Sequence, residues 1–285
     1  MINCVKRFIF LASLFICAQC LAIEIQALPF SRVSLSGSIE PGDARKLANF
    51  LRTLKTPVST IVLNSQGGDV DEAIRIAELI KFAWIGTEVQ NEKFCASSCF
   101  FLFLAGSERV ASPSWLMQPG QLEAINATAK QAGVNRKPEL PGFVGLHRPF
   151  YTKVSNIEKH QSAMMEHVGS HLKKQMISGR LIDAMMSHPS NDVYWLTNFD
   201  LNEIGEYPPE QEEVFIQRCS YDRNSTLQQI SAIEEGNISK SDELFQQQLK
   251  ANACIASLKE KLSIAALEKI KKGWLPPISK ITTVR

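Results

Sequence analysis

The chain has 285 residues, 45% of them hydrophobic and 21% charged, with 31 basic and 29 acidic side chains. That composition excludes a disordered, low-complexity or collagen-like protein, and the length fits one good-sized domain with an appendage or two small domains. A near-neutral balance offers no basic face, so nucleic acid is not an expected partner.

The first 22 residues have the pattern of a secretory signal peptide. MINCVKR is a short basic segment, FIFLASLFICA is apolar, and QCLA ends at Ala22 with the small Cys20 at the A-x-A-like position. The apolar run from Phe8 to Ile23 is shorter than the ~20 residues that span a bilayer. The expectation is an exported, periplasmic or secreted chain cleaved near Ala22, with an uncleaved inner-membrane anchor as the alternative. Gln19 is too large and polar for a lipoprotein site at Cys20. Cleavage would take Lys6 and Arg7 and no acid, leaving 29 basic against 29 acidic residues. Of seven cysteines, Cys95, Cys99, Cys219 and Cys254 would remain. An even number in an exported chain fits disulfides, with three pairings open. Cys219 with Cys254 is favoured because both lie in the C-terminal part. Those four form no Cys-x-x-Cys and no Cys/His group at zinc spacing, so no metal is expected. No cofactor motif is read either.

SRVSLSG (31–37) alternates apolar and polar residues and predicts a strand. A helix follows from Gly42 and Asp43, with Leu47, Phe50, Leu51 and Leu54 at helical spacing. Ile61, Val62 and Leu63 form a buried strand that ends in the Gly67-Gly68 turn. A second helix carries Ala73, Ile76, Ala77 and Ile80 on one face. This β-α-β-α order predicts α/β architecture with a parallel sheet. TEVQNEKF (87–94) reads as a further strand or strand end. CASSCFFLFLAG reads as a helix entering the core and ending at Gly106, and SERVAS as a short strand. Residues 113–141, rich in Pro, Gly and Ala, read as an inserted loop or flap. FVGLHRPFY predicts a strand that stops at Pro149. Residues 153–187 predict two amphipathic helices split near Ser178-Gly179. The first domain is expected to close by residue 207. In 208–285, PPEQEEVFIQRC reads as a linker or edge strand, 224–272 as two helices broken at Gly236-Asn237, and the tail as irregular.

Three stretches can carry chemistry. In LNSQGGDV, two glycines after a buried strand let backbone amides face a cleft, although a plain turn has the same signature. In CASSC, a serine at a helix start is either an N-cap or a nucleophile placed where free N–H groups favour an oxyanion. Cys95 and Cys99 are i, i+4 on one helical face in this reading. Their apolar neighbours favour packing or disulfide roles over nucleophilic ones. In VGLHRPF, His147 ends a strand before proline. His167 and His171 are also i, i+4, but no third metal ligand accompanies them, and they read as surface residues.

In order and spacing, Asn64-Ser65-Gln66-Gly67-Gly68, Ala96-Ser97-Ser98-Cys99 with Ala105-Gly106, and Leu146-His147-Arg148-Pro149 resemble the N-S-P-G-G, A-S-M-G and I-H-Q-P motifs of the Clp protease proteolytic subunit. That subunit belongs to the Clp/crotonase superfamily. Trp195-Leu196-Thr197 and Glu203-Ile204-Gly205 look like the segment after the family's catalytic aspartate. The resemblance covers about residues 31–207 and is nearest to exported, uncharacterised Clp-like proteins with a C-x-S-x-C serine motif. Gln66 stands where the family has proline, and 113–141 and the region beyond 208 have no counterpart. The resemblance implies a Clp/crotonase-like ββα-superhelix over 23–207 with a C-terminal helical extension. It implies a serine peptidase with Ser97 as nucleophile, His147 as base and Asp192 as the third member, Asp183 being its rival. The oxyanion would be bound by the N–H groups of Gly68 and Ser98, with Gly67 lining the substrate side and the Ser98 side chain capping the helix. A polypeptide substrate and a homo-oligomer are the partners implied, and the C-terminal helices could engage a protein partner. A Ser-Lys dyad using Lys93 or Lys159 is the local rival. A non-catalytic Clp-like binding module and an acyl-CoA enzyme of crotonase type are the other function classes.

Overall fold

The computed structural model describes residues 22–111, 142–150 and 157–276. The signal-like segment and the 113–141 insertion lie outside these residues. Strand β2 (Arg32–Ile39) points Val33 and Leu35 into the core and leaves the intervening serines half-buried. Strand β1 (Glu24–Leu28), which periodicity did not reveal, pairs with it antiparallel along one edge. Strand β3 (Thr60–Gly68) runs parallel to β2. Ile61, Val62 and Leu63 are buried together, as expected of a parallel strand covered on both faces.

Strand β3 serves two neighbours in succession. Thr60 to Val62 pair with β4 (Gly86–Val89), and Ser65 pairs with Cys95 in β5 (Phe94–Ala96). From β4 the sheet continues to β6 (Arg109–Ala111), and from β5 to β7 (Phe143–Leu146) and the antiparallel β8 (Tyr194–Trp195). All pairings except β1–β2 and β7–β8 are parallel.

Helices α1 (Asp43–Thr53) and α2 (Val70–Phe82) occupy the positions their apolar spacing predicts. The Asp69 side chain caps α2 by accepting the Glu72 N–H at 2.7 Å. Glu72 in turn accepts the Ala44 N–H at 2.8 Å and ties the two helix starts together. Helix α3 (Cys99–Leu104) is buried throughout. Its three phenylalanines, Phe100, Phe101 and Phe103, contribute roughly 2–3 kcal/mol each by leaving water. The helix expected from Cys95 therefore starts four residues later, because Phe94 to Ala96 are taken up by pairing with β7.

Beyond β7 come α4 (Ile157–Lys174) and α5 (Gly179–Ser187), then β8 and α6 (Asn198–Ile204). The segment expected to be a linker or edge strand is helix α7 (Pro209–Cys219). Its ends carry helix signals: Pro209 at the first position, Glu210 and Glu212 in the first turn, and Arg218 in the last. Helices α8 (Ser225–Glu234) and α9 (Ile238–Lys271) are broken at Gly236, whose φ is 71°. Tyr207, Phe215, Cys219 and Ile255 form a second, small apolar cluster. Helix α9 also returns to the first domain. Ile270 is buried in the main core, and Arg52 Nε donates to its carbonyl at 3.0 Å.

Arg109 fastens the C-terminal ends of α3 and α6. Its guanidinium is buried and donates to the Leu104 carbonyl from Nε at 2.9 Å and to the Ile204 carbonyl from Nη1 at 3.1 Å. Burial lowers its pKa to about 9. No described helix is long and apolar enough to cross a membrane.

Candidate active site

Strand β5 ends at Ala96 because Ser97 turns the chain with φ 57°, in the left-handed region. The Ser97 N–H still donates to the Gly145 carbonyl of β7 at 3.0 Å. Ser98 is buried at the head of α3, but its hydroxyl does not cap that helix. It donates instead to the Gly68 carbonyl at 3.1 Å. The capping role expected for Ser98 is thus replaced by a tie between the serine elbow and the glycine loop.

That loop must be glycine at both positions. Gly67 has φ 95°, and a Cβ there would lie 2.7 Å from Ser97 Cβ and 2.9 Å from Ser98 N. A Cβ on Gly68, φ 148°, would lie 2.2 Å from the Ile39 carbonyl oxygen. Where the resembled motif has a rigid proline, the Gln66 side chain donates to Ser38 Oγ at 2.6 Å, and Ser65 Oγ accepts the Gly67 N–H at 3.1 Å. The backbone bond to β2 is made by the next amide, Asp69 N–H to Ile39 O at 2.8 Å. The Ser98 N–H makes no backbone hydrogen bond among the described residues.

His147 follows β7 directly. Ala96 is level with Gly145 in the parallel register, so Ser97 and His147 leave the C-terminal ends of adjacent strands. This is the end of an α/β sheet where sites collect. His147 is 8% exposed, its Nδ1 lies 2.9 Å from the Arg148 carbonyl, and its ring centroid lies 5.7 Å from that of Phe150. Donation from Nδ1–H to that carbonyl leaves Nε2 with the lone pair.

Asp192 makes its contacts away from His147. Its side chain is 71% exposed, lies 3.3 Å from His188 Nε2, and accepts the Val193 N–H at 2.8 Å. Leu146 faces Tyr194 in the last pair of the antiparallel β7–β8 ladder, and the Val193 side chain beyond it lies over Gly145. Val193 Cγ1 would lie 2.4 Å from a Cβ on Gly145, the face that His147 shares by alternation. Asp183, the rival, is exposed on α5. The ring partner observed for His147 is the Arg148 carbonyl.

Cys95 and Cys99 are joined to each other, so neither is a free thiol, and Cys95 lies in β5 rather than on a helical face. Cys219 is joined to Cys254. His171 is not a surface residue: its ring meets Phe101 edge-on at 5.6 Å, and burial lowers its pKa to about 4. Its spacing from Val168 and Leu172, both buried on α4, carried that signal. Among the described residues no three His, Cys, Asp or Glu side chains come together as metal ligands. Lys93, one of the two lysines considered for a dyad, is exposed.

One buried network escaped the sequence. Asp200 accepts Arg180 Nη2 at 2.5 Å, the Tyr194 hydroxyl at 3.1 Å and the Thr197 N–H at 2.7 Å. Burial pushes its carboxyl up, but the bonds from Thr197, Arg180 and Tyr194 outweigh this and hold it below the usual carboxylate range. The network fixes the β8–α6 corner that presents Val193. Its signal was the capping-box spacing of Thr197 and Asp200.

No family profile and no curated protein matches the chain. Among solved structures it is similar to ClpP1 from Listeria monocytogenes, with 18% identity over 61% of this chain and 87% of that one and a TM-score of 0.39. It is also similar to a mutant of the 1510-N membrane-bound stomatin-specific protease, with 12% identity over 60% of this chain and 74% of that one and a TM-score of 0.37.

Proposed function

We propose that this protein is an exported Clp-like serine peptidase in which Ser97 is the nucleophile and His147 the base. The observation that carries the reading is the Ser97 elbow. A serine held at φ 57° lies against Gly67 and next to the strand whose following residue is His147. A serine hydroxyl becomes a useful nucleophile when a base takes its proton as it attacks. His147 Nε2 takes that proton and returns it to the leaving amine. The Arg148 carbonyl, in place of a carboxylate, holds the ring in the tautomer this requires. The N–H groups of Gly68 and Ser98 receive the oxyanion, one such donor being worth about 3 kcal/mol in the barrier. No cofactor enters these steps. Export is supported by the signal-like residues 1–22 and by the two disulfides. The substrate is a polypeptide, and a homo-oligomer is the assembly the resemblance implies.

The test is labelling by a fluorophosphonate probe. Wild type and Ser98→Ala label, whereas Ser97→Ala and His147→Ala do not. A folded wild-type protein that stays unlabelled would remove the peptidase reading. A second reading, a non-catalytic binding module, is favoured by the exposed Leu227, Ile230, Phe245 and Leu249 on α8 and α9. It gains what the labelling result takes from the first.

A further inference from the structure

We propose that Cys95 and Cys99 are positioning residues for the nucleophile: their disulfide holds the elbow at Ser97 and is closed once, by oxidation, as the chain folds. The inference rests on the peptidase reading above. The bond joins the middle residue of β5 to the first residue of α3 and encloses Ala96, Ser97 and Ser98 between its ends. Within that span Ser97 is in the left-handed region, which a serine does not choose by itself. Such a conformation persists only when its surroundings impose it. Two hydrogen bonds contribute, from Ser97 N–H to Gly145 O and from Ser98 Oγ to Gly68 O. The Phe100 N–H also closes on the Ser97 carbonyl at 3.0 Å, and the covalent link ties the residues on either side of the turn to each other.

The same peptide unit carries two proposed catalytic groups. Ser97 bears the nucleophilic oxygen, and the Ser98 N–H is an oxyanion donor. Relaxation of Ser97 to negative φ moves both at once. Gly67 already lies so close that a single methyl group would meet Ser97 and Ser98 inside 3 Å, so the elbow has no room to adjust against the loop.

Closure needs an oxidant of the disulfide class, a protein disulfide or oxidised glutathione. The Cys95 thiolate attacks one sulfur of that disulfide, forms a mixed disulfide and expels a thiolate. The Cys99 thiolate then attacks Cys95 Sγ and expels the second. Two protons leave the cysteines, and the oxidant takes up two electrons. Both cysteines are 0% exposed in the folded protein, so no external thiol reaches the finished bond. This makes the link a lock set during folding rather than a reversible sensor. A chain folded in a reducing compartment lacks the lock, and its serine is out of position.

The experiment compares wild type, Cys95→Ala/Cys99→Ala, and the control Cys219→Ala/Cys254→Ala. It reads the second-order rate of fluorophosphonate labelling across the neutral pH range, beside the thermal midpoint of each protein. The expected result is a fall of about tenfold or more in the folded Cys95→Ala/Cys99→Ala protein, equivalent to ~1.4 kcal/mol in the barrier. Its pH midpoint stays unchanged because His147 is intact, and the control labels at the wild-type rate. A purely structural role would lower the thermal midpoint and leave the rate of the folded fraction alone, and that result overturns the proposal. If the double variant does not fold, wild type refolded with and without oxidised glutathione replaces it, with free thiols counted by mass. Labelling that follows the oxidised fraction supports the lock, and equal labelling of the reduced fraction overturns it. Absence of labelling in oxidised wild type removes the peptidase reading, and this inference with it.

Discussion

Cys95–Cys99 and Cys219–Cys254 are the same covalent bond set in unlike regions. The first closes a sequence separation of 4 inside the main core, around the proposed nucleophile. The second closes a separation of 35 and joins α7 to α9 at the edge of the small apolar cluster. Chain-entropy arithmetic assigns about 2 kcal/mol to a loop of the first size and about 4 kcal/mol to one of the second. The bond near the chemistry is thus the weaker global staple. Its importance lies in the backbone it shapes, and that of the other lies in the freedom it removes from the unfolded chain.

The largest expected effect tests the outer bond. Cys219→Ala/Cys254→Ala is expected to lower unfolding free energy by about 4 kcal/mol in a urea titration. The labelling rate of its folded fraction should stay at the wild-type value. A parallel loss of labelling would erase the contrast between the two regions.

A smaller effect comes from His171, which packs on Phe101, two residues after Cys99. Its folded pKa of about 4 lies below the usual 6.5, so the unfolded chain binds the extra proton first. Stability is therefore full above about pH 6.5 and falls as pH drops towards about 4. His171→Leu should remove roughly 3 kcal/mol of this acid sensitivity, read as a flatter curve of thermal midpoint against pH. An unchanged curve would place the acid sensitivity elsewhere.

The smallest effect sharpens the site itself. Val193→Asp places a carboxylate over Gly145, two residues before His147. Labelling near neutral pH is expected to rise by up to about tenfold, the scale of ~1.4 kcal/mol. A fall would show that the Arg148 carbonyl is the better partner for the ring.

Most of the α/β half could be read from residues alone. The buried run Ile61 to Leu63, the glycine pair and the apolar faces of α1 and α2 are local patterns with local causes. The spacing of short motifs also pointed to Ser97 and His147, which follow the ends of adjacent strands. The surroundings of Asp192, exposed and beside His188, were not legible, because they depend on how distant strands and helices meet. The start of α3 was misplaced because pairing between β5 and β7, more than forty residues apart in sequence, overrides a continuous apolar run. Helix α7 carries the β-prone Val214, Phe215 and Ile216, a local preference that the helix signals at its two ends and the packing of Phe215 override.

Helix α9 has a further consequence for the order of events in synthesis. Ile270 fills a place in the main core beside α1, which the ribosome makes more than two hundred residues earlier. The sheet can gather while translation continues, but the place beside α1 that Ile270 fills stays open until α9 emerges. Assembly of this molecule waits on a helix made long after the strands and helices it covers.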